Sequence, residues 1–361
     1  MPPVNVREFE AVARERMTPA AFDYYCGGSG DEHTLSENER AFGRITVWPK
    51  VLVDVSEIST ATTVLGEHVS MPVLIAPTAF AKLAHPDGEA AIARAAGKAG
   101  TVMTVSTLAS TTMEDVAAAA SGSLWFQLYV YRDRAVTAEL IMRAEAAGYR
   151  AIVLTVDTPM LGQRERDTRN QFTLPDGVSV RNLETCRTFV EGAARWPEGS
   201  SFSAYIHHLI DASLAWPTVE WLRSVTRLPV IVKGVLRADD ARRAADSGAS
   251  AIVVSNHGGR QLDGAPATIR ALPSIVEALD GEIEVLLDGG IRRGVDVLKA
   301  VALGARAVLI GRPCLWGLAA DGEAGVSRVL DIFGTELRLA MALAGLPSVS
   351  AITADAVTID T

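Results

Sequence analysis

A histidine and an arginine separated by two glycines stand directly behind the apolar run Ala251-Ile252-Val253-Val254, in the segment Ser255-Asn256-His257-Gly258-Gly259-Arg260-Gln261-Leu262. Imidazole accepts a proton near neutral pH, and a guanidinium presents a planar fork that matches both oxygens of a carboxylate. Held side by side at a strand end, the two suit proton abstraction from a small carboxylic acid. The glycines let backbone approach a ligand closely. The same residues could simply cap a loop, so their setting decides between the readings.

That setting repeats along the chain. Short β-rich apolar runs occur at Val73–Ala76, Val102–Val105, Trp125–Leu128, Ile152–Thr155, Val230–Val232, Ile252–Val254, Val285–Leu287 and Val308–Ile310. Between most of them lie Ala-rich amphipathic segments: Gly88–Ala99, Met113–Ala120, Ala135–Ala147, Ala238–Ser247 and Gly294–Leu303. These carry helical apolar spacing and often stop at a glycine, as at Gly100, Gly148, Gly248 and Gly304. Alternating strands and helices imply parallel pairing through right-handed crossovers, and eight such units predict an α/β fold, a closed (β/α)8 TIM barrel. An open doubly wound sheet is the alternative, but no glycine-rich dinucleotide fingerprint follows an early strand.

One gap is long. Between Thr155 and Val230, Gln163–Arg169 is charged, Pro175–Ser201 is rich in Pro, Gly and polar residues, and Phe202–Arg223 reads as helix. An insertion at a strand's C-terminal end overhangs the barrel mouth, which predicts a lid over about 160–215. Residues 1–65 read as a helical N-terminal cap and 66–361 as the barrel, so that 1–361 forms a single domain.

Bulk properties narrow the partners. The 361 residues are 48% hydrophobic and 21% charged, a globular composition. A net charge of −9 leaves no basic stripe for phosphate backbones, which argues against nucleic acid. Cys26, Cys186 and Cys314 lie far apart without paired spacing, so neither a metal site nor a disulfide framework is expected and a reducing compartment is. Met1–Arg16 is charged and amphipathic, and no apolar run reaches the roughly 18 residues that span a bilayer. These features predict a soluble cytoplasmic protein with no membrane partner.

In a barrel, side chains at the strands' C-terminal ends converge on one face. Those ends supply Thr78 and Ala79, then Ser106, Gln127 with Tyr129, Thr155 with Asp157, and Lys233. Ser255, His257 and Arg260 follow, then Asp288-Gly289-Gly290 with Arg292, and Gly311-Arg312. The last two loops, where barrels commonly hold phosphate, combine glycine N–H groups with guanidinium forks. Tyr24 could merely pack the cap, Tyr129 the barrel mouth, and Asp157 could pair with Lys233 for structure alone. Taken as one set, they point to a phosphate-anchored cofactor beside an oxidisable acid.

On these residues the chain resembles the FMN-dependent L-2-hydroxy acid oxidase and dehydrogenase family, which includes glycolate oxidase, lactate oxidase, mandelate dehydrogenase and hydroxymandelate oxidase. The resemblance runs almost end to end: Asp23-Tyr24-Tyr25, Ile75-Ala76-Pro77-Thr78-Ala79, Phe126-Gln127-Leu128-Tyr129, Leu154 through Pro159, Val232-Lys233-Gly234, Ser255 through Leu262, Leu287 through Gly290, and Ile310 through Pro313. It implies that His257 is the base and that Asp157 stabilises its imidazolium. Arg260 and Tyr24 would hold the substrate carboxylate, Tyr129 would donate to the substrate oxygen, and Arg164 would be a second arginine near the substrate. Lys233 would sit at the flavin N1/C2=O edge. Thr78, Ala79, Ser106, Gln127, Thr155 and Ser255 would contact the ring and ribityl chain, and Asp288, Gly290, Arg292, Gly311 and Arg312 the ribityl and phosphate end.

The implied activity is oxidation of an (S)-2-hydroxy acid to the 2-oxo acid, by hydride transfer or through a carbanion, in a homo-oligomer, most simply a tetramer. Membrane-bound mandelate dehydrogenases of the family carry an apolar insertion after strand four, whereas Leu183–Thr188 through Trp196–Gly199 holds no such run, and no N-terminal haem domain is present. Both features point to oxygen as acceptor, giving hydrogen peroxide, with a quinone- or protein-linked dehydrogenase as the alternative. The rivals are an isopentenyl diphosphate isomerase-like FMN barrel, which would need more basic substrate groups, and a flavin-binding protein without turnover. Short-chain glycolate oxidases place a tryptophan over the substrate side chain in the segment matching Ser106-Thr107-Leu108-Ala109-Ser110. Leu108 takes that place here, which favours a larger or aromatic, mandelate-like acid over glycolate or lactate.

Overall fold

The chain enters through α1 (Val6–Arg16), α2 (Pro19–Cys26) and α3 (His33–Arg40), then β1 (Ile45–Val47) and the hairpin β2 (Thr62–Val64) and β3 (Glu67–Val69). The computed structural model describes residues 3–191 and 209–360. Local signals start the first two helices. The Asn5 side chain accepts the Glu8 N–H, and Thr18 caps a helix that opens on Pro19. Besides the three helices, the stretch before Leu65 thus holds strands. β1 pairs antiparallel with the C-terminal β12 (Val357–Ile359), a contact that no local pattern announces.

All eight apolar runs form strands: β4 (Val73–Ile75), β5 (Met103–Ser106), β6 (Leu124–Leu128), β7 (Ile152–Thr155), β8 (Val230–Val235), β9 (Ala251–Val254), β10 (Glu284–Asp288) and β11 (Ala307–Ile310). They pair in parallel and in chain order, and β11 returns to β4 to close the barrel. The five expected intervening helices are α4 (Gly88–Lys98), α5 (Met113–Ala119), α6 (Arg134–Ala146), Ala238–Asp246 and Gly294–Ala302. The closed (β/α)8 fold is therefore as the alternation predicts.

Strand side chains alternate between two apolar environments. Leu74, Trp125, Val153, Ile231, Val253, Leu286 and Leu309 fill the barrel interior, while Phe126, Leu154, Val232, Val254 and Leu287 face the helices. Val64 and Val69 of the hairpin join the interior cluster, and Glu67 accepts the Trp125 indole N–H at 2.9 Å. The hairpin thereby plugs one end of the barrel. The opposite, C-terminal end is left for ligands.

After β7 the chain runs through the short helices Glu165–Arg169, Arg181–Glu184 and Arg187–Glu191. Asn182 donates to the carbonyls of Ser106 and Thr107, which lays this segment on the loop after β5. Helix over Phe202–Arg223 is only partly found: 202–208 lie outside the described residues, and Ile210 forms an isolated bridge with Tyr131. The Asp211 carboxylate then accepts the Ser213 N–H and hydroxyl, a local turn that competes with helix. Leu209 is still helical, and after this turn helix resumes at Pro217, running to Val225. Among the described residues no helix is long and apolar enough to cross a membrane, and the three cysteines are buried and free.

Candidate active site

The inward-facing set of strand residues turns polar in its last layer. Ser106, Gln127, Thr155, Lys233 and Asp288 continue the same period-two rows that carry Trp125, Val153, Ile231 and Leu286 below them. These side chains bond to one another around the mouth. Ser106 Oγ donates to Gln127 Oε1 at 3.1 Å, and Gln127 Nε2 donates to Thr155 Oγ1 at 3.0 Å. Lys233 Nζ donates to Ser255 Oγ at 2.9 Å and pairs with Asp288 Oδ2 at 3.0 Å. The lysine's structural partner is therefore Asp288 rather than Asp157. Burial pulls its pKa down, but the Asp288 carboxylate outweighs this and holds it above the ordinary lysine value, a fixed cation. Asp288 Oδ1 has no partner and remains available to a ligand.

The loop after β9 carries His257 and Arg260 over this layer. His257, Gly258 and Gly259 all adopt left-handed backbone, with φ of 58°, 64° and 74°. Ser255 Oγ accepts the His257 N–H. His257 Nδ1 meets Asp157 Oδ1 at 2.8 Å. Burial drives the His257 pKa below its usual value against the opposing pull of Asp157, so the neutral ring donates Nδ1–H to the carboxylate and keeps Nε2 unprotonated. Burial also raises the Asp157 pKa, but His257 and Lys233 reverse that and keep it ionised. Thr158 Oγ1 donates to Asp157 Oδ1, and Gln261 Nε2 donates to the carbonyls of Asp157 and Met160. A proton acceptor and the anion that would steady its cation are thus built into one unit.

Two cationic clusters flank it. Burial, with repulsion from Arg260, lowers the Arg164 pKa to about 10; Arg164 Nε is buried without a partner. Tyr24 hydrogen-bonds Arg164, lies under the Arg260 guanidinium at 5.1 Å, and stacks on Phe172 at 4.5 Å. Tyr129 bonds to Thr158, and burial with the Asp157 charge keeps its phenol protonated as a donor. This cluster has the charge and donors for a carboxylate. On the other side, burial lowers the Arg312 pKa to about 9, with repulsion from Arg260 and Arg292 adding to it. Arg312 donates to the carbonyls of Tyr25, Gly27 and Gly258. Arg292 pairs with Glu39 at 2.8 Å but leaves Nε unpartnered. A Cβ on Gly290, at φ 87°, would stand 2.0 Å from the Asn38 carbonyl oxygen, so only glycine fits this second anion cradle.

One cleft is lined by Tyr24, Thr78, Ala79, Ser106, Leu108, Gln127, Tyr129, Thr155, Arg164, Lys233, His257, Arg260, Asp288, Gly290, Arg292, Gly311 and Arg312. Asp157 and Ser255 are not on its wall; they stand behind it, bonded to His257 and Lys233. Tyr25, Thr158, Leu161 and Gly258 also line the cleft, and of these Tyr25 and Thr158 were not anticipated. Tyr25 and Thr158 sit next to named residues in the motifs, which was their only signal.

Residues 13–359 match the model of the family described as FMN-dependent dehydrogenase. An L-lactate oxidase from Nostoc sp. is 53% identical, covering 95% of this chain and 94% of that protein. Glycolate oxidase 3 from Arabidopsis thaliana is 52% identical over 95% and 93%. The structure of mandelate oxidase with (S)-4-hydroxymandelic acid superposes with a TM-score of 0.91 at 46% identity, covering 97% of each chain. With this agreement over nearly its whole length, the chain belongs to the FMN-dependent dehydrogenase family of 2-hydroxy acid oxidases.

Proposed function

We propose that this protein oxidises an (S)-2-hydroxy acid with a larger or aromatic side chain to the 2-oxo acid, with oxygen as final acceptor. The observation that carries the reading is the convergence of Arg164, Arg260 and the His257–Asp157 pair on one cleft. Arg260 and Arg164 bind the substrate carboxylate, and Tyr24 and Tyr129 donate to its oxygens. His257 Nε2 takes the hydroxyl proton, and Asp157 offsets the charge that the ring acquires. The unpartnered Asp288 and Arg292 atoms, the Gly290 cradle and the buried Arg312 fit the ribityl and phosphate groups of FMN, and the fixed Lys233 cation fits its ring. The α-hydrogen leaves with its electron pair as hydride, for which bound FMN would supply the acceptor, and oxygen would take the two electrons on to hydrogen peroxide.

Relatives named glycolate, L-lactate and mandelate oxidase support the 2-hydroxy acid class across side-chain sizes. Leu108, buried on the cleft wall, supports the larger end. Exposed Trp48, Val51, Leu52, Leu339 and Leu343 are consistent with a homo-oligomer, proposed as a cytoplasmic tetramer. The test is anaerobic bleaching of the yellow protein by a panel running from glycolate and lactate to mandelate, followed by admission of air. Fastest bleaching by mandelate-like acids, with rapid return of colour and stoichiometric peroxide, is expected. Preference for glycolate would overturn the size assignment, and slow recovery rescued by a quinone would overturn the acceptor.

A further inference from the structure

Three consecutive left-handed residues do not hold themselves in place, and the loop that presents His257 and Arg260 contains three. Ser255 and Arg312 bond it from the barrel, and the rest of what holds it comes from the N-terminal cap. Asn38, on α3, donates Nδ2–H to Asn256 Oδ1 at 2.9 Å, and Asn256 Nδ2 donates back to Asn38 Oδ1 at 2.8 Å. Both residues are buried. The Asn256 amide is oriented by backbone on each side: its oxygen also accepts the Gly259 N–H at 3.0 Å, and its nitrogen also donates to the Pro266 carbonyl at 3.0 Å. A facing side chain must therefore offer a donor and an acceptor in the matching order. Asparagine does so; aspartate lacks the donor and leucine lacks both.

The rest of α3 serves the same loop. A Cβ on Gly259 would lie 2.6 Å from the backbone of Leu35, one turn before Asn38. The helix is thus pressed against the loop's tightest bend, and its one reciprocal polar contact meets the residue just before His257.

We propose that Asn38 is a positioning residue for the reaction: through Asn256 it fixes the left-handed turn that aims the imidazole and guanidinium into the cleft. The proposal rests on the reading of His257 and Arg260 given above. It assigns to the N-terminal cap, which reaches the cleft mainly through Tyr24 and Tyr25, a second and remote part in catalysis.

The test compares Asn38→Leu and Asn38→Asp with Thr34→Val. The last removes a different bond from the same helix to the barrel, Thr34 Oγ1 to the Ala265 carbonyl at 3.0 Å. Amide hydrogen exchange at Gly259 is followed in apoprotein and FMN-loaded protein, together with the Kd for oxalate, the Kd for FMN and the rate of flavin bleaching at saturating substrate. Both Asn38 variants should raise exchange at Gly259 by about tenfold or more. They should also slow bleaching by roughly 10²-fold and weaken oxalate about tenfold, the cost of misplacing groups that remain present. FMN affinity should move much less. Thr34→Val should lower Tm comparably while leaving bleaching and Gly259 exchange near wild type. Wild-type exchange and rate in Asn38→Asp would overturn the proposal, as would equal losses in Thr34→Val. If Asn38→Leu fails to fold, Asn38→Asp decides alone. If neither folds, Asn38→Gln, which displaces the amide by one methylene, decides by the same readouts. Should His257→Asn still bleach normally, the assignment of the base falls, yet Gly259 exchange continues to report whether Asn38 holds the loop.

Discussion

Gly234 and Asp157 approach so closely that a Cβ on the glycine would lie 2.7 Å from the Cβ of the aspartate. Gly234 follows Lys233 at a register shift between β8 and β9 and has φ of 114°, a conformation other residues rarely adopt. Its missing side chain is what lets the carboxylate stand where His257 needs it. Gly234→Ala should therefore cost about 1–3 kcal/mol of stability from backbone strain. It should also slow flavin bleaching by at least about tenfold, because Asp157 must move. A variant with wild-type Tm and rate would show that Asp157 has slack.

His257→Asn should abolish bleaching while FMN stays bound, since the variant keeps every group of the phosphate cradle. Loss of a general base costs about 10²–10⁴-fold. Arg260→Lys should also be severe, because an ammonium cannot reproduce the two-toothed fork. Stopped-flow bleaching with retained yellow colour checks both, and near wild-type rates would remove the residue from its role.

The pH dependence has a definite sign. A base works deprotonated, and burial, opposed by Asp157, leaves His257 below its ordinary value of 6.5. Hence kcat/KM should be level from pH 8 to about 6.5 and fall only at lower pH, as the folded protein's imidazole takes up a proton. In Asp157→Asn the anion that opposes burial is gone, so the inflection should move lower still while the rate drops by about 10⁴-fold. A wild-type inflection above pH 7 would contradict the arrangement.

Arg312, Arg260 and Arg292 crowd positive charge that a phosphate would relieve. FMN should raise the Tm of apoprotein far more than riboflavin does, and inorganic phosphate should recover part of the difference. A ligand at 100 times its Kd adds about 2.7 kcal/mol. In Arg312→Gln the advantage of FMN over riboflavin should shrink by about tenfold or more in Kd, the worth of a charge-assisted bond. Equal shifts from the two flavins in wild type would take phosphate out of the cradle.

Leu108 is 4% exposed, lines the cleft and accepts the Phe80 N–H on its carbonyl, so its side chain is fixed as wall. Apolar filling of the space beside it contributes about 25 cal/mol per Å² buried. Leu108→Trp should lower kcat/KM for mandelate-like acids more than for glycolate or lactate. Equal effects on all three would mean that Leu161 or Phe172 sets the size limit instead.

Much of this was legible in the chain because it is local. Period-two apolar runs specify strands, their alternation with amphipathic segments specifies parallel closure, and the barrel then dictates that Lys233, Asp288 and His257 share one mouth. Residue type alone told that Gly290 and Arg312 suit an anion. Apart from the Asp157–His257 pair, which the family resemblance implied, what the sequence could not tell is which of the gathered groups bond to which. Lys233 chooses Asp288 over Asp157 because strand stagger and the Gly234 contact set separations of a few ångströms that spacing does not encode. Asn38 carried no signal, since a lone amide on a charged helix gains meaning only once α3 lies across the loop at Asn256. The pairing of β1 with β12 joins the two ends of the chain and depends on every element between them. Composition and period act over neighbours in sequence, and partner choice among buried polar groups is settled by the packing of the whole molecule.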